Sequence, residues 1–151
     1  MIKRLLPYLK GYQKQAVLAP ALVALETICE LILPLLMAEI IDNGIANSSL
    51  PIILKMGALM LVVASVSMYC GVMASKHASF AAQGLGANLR RAEFEKLSTF
   101  SFGDIDRFSS ASLITRLTND VTNIQNMVAM ALRLLVRSGV MVVASLAVAL
   151  Y

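Results

Sequence analysis

"FSSASLITRLTNDVTNIQNM" (residues 108–127) decides how this sequence is to be read. It is rich in Ser, Thr, Asn and Asp, yet it lies between two segments apolar enough for lipid. Leu113, Leu117, Val121, Ile124 and Val128 recur at helical spacing, a narrow apolar seam of the kind that docks onto other helices. Thr115, Arg116, Asn119, Thr122, Asn123 and Asn126 fall off that seam, where water can reach them. Ser109, Ser110 and Ser112 are candidate N-caps for a short helix starting near Leu113, because their hydroxyls can satisfy free N–H groups of a first turn. The stretch therefore reads as the turn of a helical hairpin held away from the bilayer.

The flanks supply the bilayer. Only 15% of the 151 residues are charged and 58% are hydrophobic, against about 25% charged in soluble domains. Mean hydropathy is +0.76. The net charge of +4 comes without a dense Lys/Arg tract, which excludes nucleic acid as the expected partner. Residues 1–15 carry Lys3, Arg4, Lys10 and Lys14 among leucines and tyrosines, the pattern of an amphipathic segment at the membrane surface. The apolar run 16–41 that follows is too long for a signal-peptide core of about 7–15 residues, so it is expected to be a retained span. Pro20 and Pro34 lie inside it, at positions expected to kink the span. Asp42-Asn43-Gly44 and Ser48-Ser49-Leu50-Pro51 close it with turn chemistry. That loop has no Lys or Arg, so the positive-inside rule places the N-terminus in the cytoplasm.

A second span is expected over 52–75, and helix formers continue without a clear breaker to Phe102, before Gly103 as a helix-ending residue. A continuous helix of that extent is about 75 Å long, whereas the hydrocarbon core needs about 30 Å. Residues 76–129 are thus expected to form a cytoplasmic helical extension and loop. A third span runs over 130–151, with Arg133 and Arg137 at the cytoplasmic interface. The residues beyond Arg137 reach only about 21 Å, short of a crossing, so the expectation is part of a longer molecule. The fold class is an all-α membrane protein whose long transmembrane helices extend into the cytoplasm.

Glu26 and Glu30 stand one turn apart inside the first span. Ionised residues at mid-bilayer cost on the order of 2.5–3.5 kcal/mol each and usually face a cavity or a partner. Two readings stay open: a substrate cavity favouring cationic amphiphiles or exchanging protons, or pairing with Arg or Lys of later spans outside this sequence or a polar helix contact. Gly84-Leu85-Gly86 lacks the Gly-Lys-Ser/Thr of a phosphate loop and reads as a close helix-packing point. His77 reads as interfacial or solvated, and Cys29 and Cys70 as small buried apolar residues. The nine methionines read as packing. No metal site and no nucleophile–base pair is expected.

"LRRAEFEKLSTFSFGDIDRFSSASLITRLTNDVTNIQN" (89–126) closely resembles the first intracellular loop of ABC exporter transmembrane domains. The match is carried by Leu89-Arg90, Phe94-Glu95-Lys96-Leu97, Ser101-Phe102 and Ser109 through Val121. It extends to "LLPYLKGYQKQ" (5–15) and "LPLLMAEIIDNGI" (33–45), in the style of bacterial multidrug-type exporters. The resemblance implies the ABC exporter transmembrane fold, with residues 16–151 as its N-terminal part. It also implies that Ser110, Ala111, Ser112, Leu113, Ile114, Thr115 and Arg116 form the first coupling helix, resting on the nucleotide-binding domains. Many members have Gly at the position of Ala111, which leaves the local turn geometry open. The implied partners are the lipid bilayer, nucleotide-binding domains holding ATP and Mg, and a second transporter half in a homo- or heterodimer. The implied location is the plasma membrane, and the implied cargo drugs, lipids or other amphipathic molecules. No ATP-binding motif is read in the chain itself, so it is not expected to act as an enzyme alone. Two other classes fit the pattern without the resemblance: a stand-alone small membrane regulator or assembly protein with a cytoplasmic binding hairpin, and a membrane-bound enzyme with its catalytic residues downstream.

Overall fold

A computed structural model describes residues 6–100 and 115–150. A 3-10 turn, Leu6–Leu9, precedes helix α1, Gln13–Glu39, which loosens into a π-helical turn, Ile40–Ile45. Helix α2, Leu50–Leu97, runs back along α1 for 48 residues. A π-helical turn, Arg116–Asp120, leads into α3, Val121–Ala149. There is no strand among the described residues. All three long helices are apolar enough to cross a membrane.

α1 holds its helical course through Pro20 and Pro34. The chain does not turn at Asp42-Asn43-Gly44 as expected but stays helical through Ile45. The Asn43 amide donates to Glu39 Oε1 at 2.7 Å, so its side chain supports the helix instead of breaking it. Gly44 lets Ile53 of α2 come close: a Cβ there would stand 2.7 Å from Ile53 Cγ1. The reversal comes later, at Ser48, with φ +49°. Ser49 N–H donates to the Gly44 carbonyl at 2.8 Å, and Pro51 sits in the first turn of α2, where a missing N–H costs nothing.

At its other end α2 stops at Leu97, short of Phe102. The hydroxyls of Ser98 and Thr99 donate to the carbonyls of Phe94 and Lys96 at 2.9 and 2.7 Å, each a second bond to a carbonyl that already accepts the same residue's N–H. Even so, α2 is about 72 Å long, more than twice the hydrocarbon thickness. Gly103 and its expected helix-ending role lie outside the described residues.

The buried interior follows small residues. Ala74, Ala78, Ala81 and Leu85 of α2 are nearly inaccessible, as are Ala19 and Val23 of α1. Small side chains at helical spacing let backbones approach closely, the main source of helix association in lipid. α1 and α2 are antiparallel, with Tyr12 at Gly84, Glu26 at Gly71 and Gly44 at Ile53. α3 returns antiparallel to α2, Gln125 meeting Gly86 and Arg133 meeting Ser75. The expected seam is turned inward: Val121 is fully buried, and Leu117, Ile124 and Val128 are half-buried. Asn119, Thr122, Asn123 and Asn126 are exposed, as their positions off the seam require. By contrast Leu61, Met68, Leu135 and Val143 stand open, a surface suited to lipid or to further helices.

Candidate functional site

Within the spans, the two acids of α1 meet a base from α3. Arg137 Nη2 donates to both carboxylate oxygens of Glu30, at 3.0 and 2.8 Å. Its Nη1 lies 3.9 Å from Glu26 Oε1, an ion pair without a hydrogen bond. The acids are thus paired, but with a base of this chain, Arg137, and not with one of spans outside this sequence as expected. Gly71 of α2 makes room for Glu26: a Cβ there would come within 2.6 Å of Glu26 Oε1. One turn away, Ser67 Oγ donates to the Glu26 carbonyl at 3.4 Å. Glu26 is accordingly the more enclosed acid, its side chain 15% exposed against 35% for Glu30.

A cavity of about 230 Å³ opens between α1 and α3, lined by Val23, Glu26, Met130, Arg133, Leu134 and Arg137. Arg133 reaches across to α2 and donates to Ser75 Oγ at 3.3 Å. The cavity is therefore not simply acidic: two guanidinium groups line it beside one carboxylate.

Farther along α2, a second set of polar contacts ties the hairpin. Arg90 Nη2 donates to Thr122 Oγ1 and Gln125 Oε1 of α3, at 3.2 and 3.0 Å. Gly86 is buried where the Gln125 side chain crosses it, and Gly84 where the Tyr12 ring lies on it. The reading of Gly84-Leu85-Gly86 as a packing point is borne out. Asn88 then captures the N-terminal segment, its amide donating to the carbonyls of Tyr8 and Lys10 at 2.7 and 3.2 Å. Just after Lys10, Gly11 takes φ +92°, a conformation open to glycine at little cost. A polar groove of about 580 Å³ runs between α2 and α3, lined in part by Gln83, Arg90 and Asn126. Cys29 and Cys70 are buried free thiols, as expected. His77 is half-buried, with its Nδ1 lacking a hydrogen-bond partner among the described residues.

The family profile of the ABC transporter transmembrane region matches residues 17–151. The chain belongs to this family. As an ABC exporter transmembrane domain it is 36% identical, over 99% of its length, to an uncharacterized ABC transporter ATP-binding protein of Bacillus subtilis, covering 26% of that protein. A second uncharacterized ABC transporter ATP-binding protein, from Mycobacterium tuberculosis, is 33% identical over 95% of this chain and 25% of its own. An ATP-dependent lipid A-core flippase of Albidiferax ferrireducens is 30% identical over 98% of this chain and 26% of its own. The chain spans about a quarter of the length of these relatives.

In this ABC exporter domain, five of the residues expected to form the coupling tip, Ser110, Ala111, Ser112, Leu113 and Ile114, lie outside the described residues. Thr115 is helical and exposed, and Arg116 opens the π-helical turn that runs into α3. From Thr115 onward the chain is one helical run into α3.

Near that end Glu93 of α2 buries Oε2 without a hydrogen-bond partner. Burial first, and then the nearby Asp120 carboxylate, push its carboxyl above the ordinary 4.5, while Arg90 acts in the opposite sense. Its ionised form therefore opposes the hairpin. That cost is absent below 4.5, grows as pH rises past it, and is complete above the raised value. Glu93→Gln is expected to stabilise the hairpin at neutral pH by at most about 1 kcal/mol, the gain vanishing in acid. Thermal unfolding of the purified transporter across that pH range checks this.

The contacts least legible in the sequence are Gly71 under Glu26, Arg90 with Gln125, and Asn88 with the N-terminal segment. One signal was available for the ion pair. Two acids four apart in one apolar run and two arginines four apart in another, Glu26 and Glu30 with Arg133 and Arg137, have the spacing of matching helix faces.

Proposed function

We propose that this chain is the leading part of the membrane domain of an ATP-driven exporter that moves drugs, lipids or other amphipathic molecules. The observation that carries this reading is α2 itself, 48 residues long and about 72 Å by helical rise. Such a helix carries its Leu97 end tens of ångströms beyond a hydrocarbon core of about 30 Å, where a cytoplasmic partner can reach the chain that follows. In this reading residues 76–129 are cytoplasmic, and Ser110, Ala111, Ser112, Leu113, Ile114, Thr115 and Arg116 bear on the nucleotide-binding domains. Those domains bind ATP and Mg, and their closure is passed through the tip to the spans.

The orientation follows from charge. Lys10 and Lys14 flank the start of α1, after Lys3 and Arg4, whereas Lys55 is the basic residue nearest the α1–α2 loop. This bias favours a cytoplasmic N-terminus, in the plasma membrane. A second transporter half, identical or homologous, completes the substrate path, to which Glu26 and Glu30 contribute. A lipid cargo is supported by the lipid A-core flippases among the relatives.

Leu113→Asp combined with Thr115→Asp in the full-length transporter tests the coupling role. Substrate stimulation of ATPase activity is expected to fall roughly tenfold or more, with the protein still inserted in the membrane. Wild-type stimulation and transport in this variant would remove the tip from the coupling path.

A further inference from the structure

The charges around the α1–α3 cavity are not equally committed. Glu30 and Arg137 are spent on each other, with two hydrogen bonds at 3.0 and 2.8 Å. Glu26 and Arg133 are not. Among the described residues the Glu26 carboxylate accepts no hydrogen bond, and its nearest cation, Arg137 Nη1, stands at 3.9 Å. Arg133 has a hydrogen bond only to the neutral Ser75 hydroxyl and no carboxylate within ion-pair distance among the described residues. Both side chains line the same cavity of about 230 Å³, together with Val23, Met130 and Leu134. That volume is below the roughly 300–1,000 Å³ of pockets that enclose whole drug-sized ligands, so it suits a polar head. Met130 and Leu134 are 64% and 61% exposed, an open apolar rim against which a tail can lie.

The geometry points to a zwitterionic amphiphile as the substrate class of this cavity, its anionic group on Arg133 and its cationic group beside Glu26. This rests on the proposed transport of amphipathic molecules and deepens it. A simple cation meets Glu26 but also two guanidinium groups. A simple anion finds Arg133 but is repelled by Glu26. Only a head carrying both charges leaves neither group of this half-open, half-charged cavity facing an unmatched ligand, and an unmatched charge is costly once the bound head shuts out water. Gly71 keeps this arrangement possible, since any side chain there would press on Glu26 Oε1.

The test compares three acyl-labelled lipid probes in liposomes containing the full-length transporter: zwitterionic phosphatidylethanolamine, anionic phosphatidylglycerol and a cationic diacyl trimethylammonium lipid. ATP-dependent translocation is expected to favour the zwitterion by on the order of tenfold. Arg133→Gln is expected to shift the preference toward the cationic probe, and Glu26→Gln toward the anionic one. Because preference is a ratio within each variant, poor folding lowers all three probes together and leaves it unchanged. Translocation blind to head charge, or a preference that neither substitution alters, overturns the assignment while leaving amphiphile transport standing. Failure to move any of the three would overturn both.

Discussion

Arg137→Met is expected to destabilise the folded membrane domain by about 2–3 kcal/mol, the largest effect of any single change in the spans. The substitution leaves the Glu30 carboxylate without the two hydrogen bonds it now accepts, and Glu26 without its nearest cation. Breaking a buried pair from one side costs about 3–5 kcal/mol because the other charge stays behind uncompensated. Here the pair is partly open, the Arg137 side chain being 43% exposed, which sets the lower figure. The discount is limited because the surroundings within a span are lipid or protein instead of water. Adding Glu30→Gln to Arg137→Met should restore most of the loss, since an amide needs far less compensation than a carboxylate. Equilibrium unfolding of the purified transporter, run as a double-mutant cycle, measures both numbers. Wild-type stability for Arg137→Met, or no recovery in the double variant, would show that the pair contributes nothing.

Gly86→Leu is the second large effect, expected to loosen the hairpin by about 1–3 kcal/mol, the usual cost of forcing extra atoms into a packed contact. The Gln125 side chain occupies the space that a Cβ at Gly86 would need. Since Gln125 also accepts from Arg90 at 3.0 Å, the substitution disturbs both packing and a cross-helix hydrogen bond. Gly84→Leu should act similarly on the Tyr12 ring, releasing the N-terminal segment from α2. Gly57 and Gly139 provide the contrast, since a Cβ at either meets nothing within 4 Å. Replacing these with alanine is expected to be neutral or mildly stabilising, by up to about 1 kcal/mol of helix propensity. Protease sensitivity of residues 98–120 and thermal unfolding report the difference. Equal losses at all four glycines would mean that helix breaking, not close approach, sets their role.

These contacts mark where sequence reading reached and where it stopped. The seam of Leu117, Val121, Ile124 and Val128 was legible because a helical period is a local property, and burial follows it directly. The great length of α2 was legible too, because no breaker interrupts it, although its end was misplaced by five residues. Ser98 and Thr99 look innocuous in a helical pattern, yet at the helix end their hydroxyls bond back to the carbonyls of Phe94 and Lys96, a local alternative to continuing the helix. Asp42-Asn43-Gly44 erred in the other direction. Turn chemistry was overridden by the Asn43–Glu39 hydrogen bond and by the close approach of Ile53, neither of which a turn dipeptide reveals.

By itself the sequence determined the solvent, the number of long apolar helices and the membership in a family of exporters. Each of these depends on composition, period or motif, which are carried by residues near one another along the chain. Only the tertiary structure decided which charge answers which. The rotation of α1 against α3 gives both Arg137 hydrogen bonds to Glu30 and leaves Glu26 at the edge of ion-pair distance, and the absence of a side chain at Gly71 gives Glu26 its place in the cavity that Arg133 also lines. Pairings of this kind depend on helix register across separations of 41 and 107 residues, and no local pattern specifies that register.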